Sequence, residues 1–196
     1  VMSSYIWRDG AFIPCTPPAD PCTVADSWRH SAGRTHGLHL HLERFESAAG
    51  TLPAGFVPAM LELLSGGELF PRIALIAGEL YLDIRPAPAP RAHTRLTYVK
   101  APDPRVQPLV KGPDLPALAA YRSQYQESGT DDTAIVDAHG AIAETTTGAL
   151  IAWDGDTFLL PTGVRLPSVT LRQVLDRCKD LRLSLIHISE PTRQEA

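Results

Sequence analysis

The sequence predicts a two-domain chain of mixed α+β and α/β character. Three observations carry that expectation. Hairpin signals flank two amphipathic helical stretches up to Arg85, the mark of a small α+β domain. Pro86-Ala-Pro-Ala-Pro90 then reads as an extended, semi-rigid spacer, because alternating proline fixes φ and removes backbone donors. Beyond it, strand and helix patterns resume as far as about Arg182. The expected division is therefore residues 1–88, residues 89–182 and a tail, 183–196.

The elements of the first domain are set by local signals. Tyr5 to Pro14 reads as two short strands around Asp9-Gly10, a hairpin signal. Pro14 to Pro21 is a proline-rich connection, and Val24 to Trp28 a further strand. Leu38, Leu42, Phe45 and Ala49 recur at helical spacing, with Gly50 suited to the stop. Val57, Met60, Leu61 and Leu64 mark a second short helix from Phe56, ended by Gly66-Gly67. Arg72–Ala77 and Leu80–Arg85 form a hairpin through Gly78-Glu79.

The second domain opens with a strand over Thr94–Val99. Asp114 can cap a helix from Leu115 to about Glu127, with Pro116 tolerated in its first turn. Thr133–Val136 is an apolar strand, Asp137–Gly140 a tight turn, and Ala141–Glu144 the return strand. Thr145–Trp153 and Thr157–Leu160 pair around Asp154–Asp156. Ser168 can cap a last helix running to about Asp180, whose first-turn N–H groups at Val169 and Thr170 make an anion site.

Composition narrows the function classes. The 196 residues suffice for one sizeable core or two small ones, and 44% hydrophobic with 20% charged residues is ordinary for a globular protein. A net charge of −4 gives no electrostatic footprint for nucleic acid or an anionic membrane. No apolar run reaches spanning length, and the first residues form no secretory signal. Cys15, Cys22 and Cys178 are odd in number and fit no zinc spacing, so reduced thiols in a cytoplasmic protein are expected. His36, His39 and His41 cluster, but without a ligand set around them; no metal is expected.

The chemistry-bearing residues are few. Only three lysines occur. Lys100 follows a strand, Lys179 lies late in a charged helix, and Lys111 sits just before a helix. Glu144 ends a short apolar strand 33 positions after Lys111. Taken alone it could be an exposed strand acid, and Arg44 a surface arginine beside an apolar stripe. Pyridoxal phosphate chemistry needs such an amine and such an acid. The amine forms a Schiff base and then moves protons, and the acid keeps the pyridine nitrogen charged.

Val110-Lys-Gly-Pro-Asp-Leu-Pro116, the Gly129 to Asp137 run with Gly140 after it, Ala141-Ile-Ala-Glu144, His41-Leu-Glu-Arg-Phe45 and Leu166-Pro-Ser-Val-Thr170 occur in an order and spacing that resemble the class IV aminotransferases. These are the pyridoxal phosphate enzymes of fold type IV, which include branched-chain and D-amino acid transaminases and aminodeoxychorismate lyase. The resemblance implies Lys111 as the Schiff-base lysine, Glu144 on the pyridine nitrogen, and Arg44, Val169 and Thr170 on the phosphate. It implies an amino acid or similar small amino substrate, and a homodimer when full length. Pro116 stands where many of these transaminases carry a tyrosine, Ala149 where they carry an asparagine, and Ser168 where a glycine is usual. These departures leave transaminase and lyase both open. Leu183 to Arg193 resembles the translation of a sequencing-library adaptor. The tail is therefore expected to be non-native, the second domain incomplete, and a non-catalytic truncated fragment a further alternative.

Overall fold

A computed structural model describes residues 2–178 and 182–186. The chain forms two compact units: residues 1–90 with 110–113, and residues 91–109 with 114–196. The short segment carrying Lys111 thus returns to the first unit, which no linear division of the sequence expresses.

The first unit contains β1 (Ser3–Arg8), β2 (Ala11–Pro14), β3 (Val24–Ser27), β4 (His30–Ser31), β5 (Arg34–Thr35), α1 (Leu38–Ala49), α2 (Phe56–Leu63), β6 (Glu68–Leu69), β7 (Arg72–Ile76) and β8 (Glu79–Ile84). Its main sheet has the order β2-β1-β8-β7-β3, antiparallel throughout. Both hairpins form: Arg8 pairs with Ala11 around the expected Asp9-Gly10 turn, whereas Ile76 pairs with Glu79, which puts the second turn at Ala77-Gly78, one residue before the expected Gly78-Glu79. The helices and the sheet enclose a core of Val24, Trp28, Phe45, Phe56, Met60, Leu64, Ile73 and Leu82. Each such large apolar side chain stabilises by about 1.5–3 kcal/mol on burial. Trp7, Phe12 and Phe56 meet edge to face, with centroids 4.9–5.2 Å apart, which ties α2 to the first hairpin.

α1 spans the predicted residues and stops at Gly50. α2 is rotated from the expected phase. Phe56, Met60 and Leu64 are buried at i, i+4 and i+8, while Leu61 is exposed. Phe56, the largest apolar side chain of the segment, fixes which face turns inward.

The second unit contains β9 (Leu96–Thr97), α3 (Leu115–Tyr125), β10 (Asp132–Val136), β11 (Ile142–Thr145), β12 (Ala152–Asp154), β13 (Thr157–Pro161), α4 (Val169–Arg177) and β14 (Arg182–Ile186). One sheet runs β11-β10-β9 and the other β12-β13-β14. β10 and β9 are parallel, and β10 and β11 form the predicted hairpin. Every residue of β10 is buried.

Two expectations are corrected here. Asp114 stands at the N-cap of α3, but in a helical conformation and without a side-chain cap bond. Its carboxylate instead accepts from Val106 N and Gln107 N, at 3.1 and 2.8 Å. The run from Thr145 to Trp153 is not one strand; residues 146–151 form a loop between β11 and β12. Leu183–Ile186, within the expected tail, belong to β14 and pair parallel with β13. Leu183 and Leu185 stay 58% and 66% exposed. β14 is therefore held by backbone bonds at an open sheet edge, and such an edge accepts any extended segment whatever its origin. Residues 187–196 and Lys179 lie outside the described residues. Among the described residues no helix is long and apolar enough to cross a membrane.

Candidate functional site

The five predicted site residues fall into two groups, one in each unit. Lys111 and Arg44 belong to the first unit, and Glu144, Val169 and Thr170 to the second.

In the first unit, β3 is the organising strand. Ala25 N donates to Lys111 O at 2.7 Å, so the backbone of Lys111 is docked on that strand. The next residue, Asp26, has a fully buried carboxylate. Arg44 reaches it from α1, donating from Nε to Oδ2 at 2.7 Å and from Nη2 to Oδ1 at 2.8 Å. His41, one turn earlier on α1, places Nδ1 2.8 Å from Asp26 Oδ1, and its ring lies against Trp28 at 5.5 Å. β3 thus brings the Lys111 backbone and the Arg44 guanidinium to adjacent positions. Burial pushes the Asp26 carboxyl up, but His41 and Arg44 outweigh it and hold the group below the usual carboxylate range. Two of the Arg44 nitrogens are therefore given to a carboxylate within its own unit.

Gly112 makes the docking possible. Its φ is +134°, and a Cβ there would lie 2.7 Å from Ala25 N and 2.8 Å from Val24 C, both rigid backbone. Gly112→Ala is expected to displace the Lys111 segment from β3 and to lower the thermal midpoint. Protease cleavage next to Lys111 and differential scanning calorimetry check this; unchanged values for both would count against the docking role.

In the second unit, β11 carries Glu144 near its end. Ile135 pairs with Glu144 but Val136 pairs with Ile142, so Ala143 is an extra residue that bulges the strand and re-aims the side chains after it. The Glu144 side chain is 10% exposed and that of Arg105 only 4%. Arg105 Nη1 donates to Glu144 Oε1, and Leu166 N donates to Glu144 Oε2 at 3.2 Å. Burial pushes the Glu144 carboxyl above the usual range, against the pull of Arg105 and Leu166 N–H. Leu166 lies two residues before Ser168, whose Oγ accepts from Leu171 N at 3.2 Å and caps α4 as expected. The acid and the helix N-terminus are thereby joined through one backbone N–H. Val169 and Thr170 occupy the first turn of α4, where N–H groups have no acceptor within the helix.

The loop after Glu144 is fixed by Asp132. That buried carboxylate accepts from the hydroxyls of Thr145, Thr146 and Thr147, and from Thr147 N at 3.2 Å. Burial raises its pKa, but the threonine hydroxyls prevail and hold it low.

A family model described as amino-transferase class IV matches residues 23–195. The chain belongs to that family. A comparison with curated proteins gives no match. Solved structures resemble this class IV aminotransferase-family chain as a fold type IV enzyme. One is 4-amino-4-deoxychorismate lyase from Pseudomonas aeruginosa, at a TM-score of 0.69 and 15% identity, with 95% of this chain and 82% of that chain covered. A second is a fold IV-transaminase from Curtobacterium pusillum, at 0.73 and 19%, covering 96% and 83%. A third is an aminotransferase from Brucella abortus bound to pyridoxal phosphate, at 0.72 and 17%, covering 99% and 85%. At these identities the likeness is one of fold.

The donor set of the class IV chain suits that cofactor. Lys111 supplies a primary amine, Glu144 a buried carboxylate with lone pairs to spare, and the start of α4 N–H groups for a phosphate. The sequence alone does not single out Asp26, Arg105 or Asp132. Asp26 does carry a signal, since an acid inside the apolar run Val24-Ala-Asp is unusual unless paired. Arg105 carries none.

Proposed function

We propose that this chain is a pyridoxal phosphate enzyme that transaminates an amino acid or amino-acid-like substrate, with Lys111 as the residue that holds the cofactor. The observation that carries this is the coupling of Glu144 to the start of α4 through Leu166 N, on a chain of this family. On this reading, the acid for the ring nitrogen and the N–H groups for the phosphate belong to one hydrogen-bonded unit. When bound, the cofactor supplies an electrophilic carbon and a ring that draws electron density from the substrate. Lys111 would hold that carbon through its amine and, once displaced, take and return the substrate proton at Nζ. Glu144 would hold the proton on the ring nitrogen. Val169 N–H, Thr170 N–H and the Thr170 hydroxyl would bind the phosphate, with Arg44 adding a positive charge whose direction Asp26 fixes. A cytoplasmic homodimer belongs to the same proposal and rests on family membership.

The lyase reaction, in which aminodeoxychorismate yields 4-aminobenzoate and pyruvate for folate synthesis, uses the same groups. The substitutions Pro116 and Ala149 favour keeping it as the second reading. One assay separates them. Purified protein with pyridoxal phosphate is supplied with an amino donor and 2-oxoglutarate, or with aminodeoxychorismate. Glutamate formation is expected. 4-Aminobenzoate with no glutamate would assign the lyase, and neither product with no retained cofactor would assign a non-catalytic fragment.

A further inference from the structure

We propose that Arg105 is a positioning residue that tunes Glu144, weakening the acid's hold on a ring-nitrogen proton by sharing its carboxylate. The inference rests on the pyridoxal phosphate reading above, and concerns a residue to which nothing in that reading gives a role.

The geometry is that of a built contact. Arg105 lies in the stretch from Pro102 to Gln107, yet its side chain is only 4% exposed. Asp103 takes two edges of its fork, with Nε to Oδ1 at 2.9 Å and Nη2 to Oδ2 at 2.6 Å. The same Asp103 Oδ1 accepts from Arg105 N at 2.9 Å. Asp114 clamps the following backbone at Val106 N and Gln107 N. With two edges pinned, the remaining nitrogen, Nη1, is delivered to Glu144 Oε1. Leu166 N occupies Oε2. A carboxylate has about four lone-pair positions, so about two remain for a ring N–H.

Among the described residues, the charged side chains with the largest influence on Glu144 are Arg105 and Asp103. They act in opposite directions. A cation on one side of the carboxylate stabilises the state left after a proton shared with a ring nitrogen has gone to solvent. Asp103, bound to that cation, blunts the effect. Arg105 and Asp103 together would thus set how strongly Glu144 holds a ring-nitrogen proton. Arg105 need not touch the cofactor to do this.

The test uses the full chain loaded with pyridoxal phosphate carrying 15N in the ring, whose chemical shift reports the protonation of that nitrogen as pH is varied. Arg105→Gln is expected to move the titration midpoint up by about one pH unit. Arg105→Lys should return it part of the way. Asp103→Asn should move it down, and this residue is exposed enough to tolerate the change. Opposite signs for the Arg105→Gln and Asp103→Asn variants are the signature, since a merely structural ion pair would lower the melting temperature in both and leave the nitrogen titration alone. Retained cofactor with equal midpoints in wild type and Asp103→Asn, or shifts of the same sign in both variants, would overturn the inference alone. A wild-type chain that retains no cofactor on any lysine would overturn the pyridoxal phosphate reading and this inference with it. In that case 13C titration of the Glu144 carboxyl in the cofactor-free protein still shows whether Arg105 and Glu144 are coupled.

Discussion

Lys111→Ala is expected to abolish covalent retention of pyridoxal phosphate and to lower kcat by about 10²–10⁴-fold, the usual contribution of a positioned general base. The chain has three lysines, so few other amines could take its place. The backbone of Lys111 is anchored by Ala25 N, and that bond does not involve the side chain. The alanine variant keeps that backbone bond and should therefore fold, with an unchanged circular dichroism spectrum. A loss of activity with folding intact then belongs to the amine. The corresponding Lys100→Ala variant, altering an exposed lysine of the second unit, should leave kcat within about twofold of wild type, in line with the ±0.5 kcal/mol expected of a surface change. Stopped-flow absorbance and steady-state kinetics on both variants check the pair. Equal losses in the two would remove Lys111 from its special place.

Asp26→Asn should destabilise the first unit by about 3–5 kcal/mol, the range measured when one partner of a buried ion pair is removed. Asp26 is fully buried, and Arg44 and His41 both point at it, with their side chains 15% and 12% exposed. The amide keeps the shape but removes the negative charge that faces the Arg44 guanidinium. Trp28 is buried beside His41, so its fluorescence reports the transition directly in denaturant. Asp154→Asn, at the exposed end of β12, should change stability by less than about 0.5 kcal/mol. The pH dependence has a definite sign. The folded-state pKa of Asp26 lies below its unfolded value, so its contribution is complete above the ordinary carboxylate range. It is lost as pH falls through the depressed folded value, because the unfolded chain binds the proton more readily. Wild type should therefore lose stability towards acid more steeply than Asp26→Asn, and parallel curves would deny the ion pair its role.

Elements specified by adjacent residues are legible in the sequence: the hairpin at Asp9-Gly10, the α1 stripe with its glycine stop, and the Ser168 cap. Each rests on interactions spanning a few positions. Asp114 misleads because an acid before a helix is usually a cap; here a helical backbone conformation turns the carboxylate towards the preceding loop. The 146–151 stretch follows β11 with strand-forming composition, yet Asp132 draws in the hydroxyls of Thr145, Thr146 and Thr147 and bends it into a loop. Tertiary demand overrides β-propensity at that point. Arg44 is legible as a residue but not with its partner, which lies 18 positions away on another element. The Arg105–Glu144 contact spans 39 positions and joins a proline-rich loop to a strand, a pairing that no local pattern encodes.

The central claim is that one amine of this chain holds a pyridoxal cofactor. Its most direct test is borohydride reduction of the cofactor-loaded protein, followed by proteolysis and mass spectrometry of the labelled peptides. A pyridoxyl group confined to the peptide containing Lys111 is the predicted result. Label on the peptides of Lys100 or Lys179 instead, or no label after loading, would contradict it.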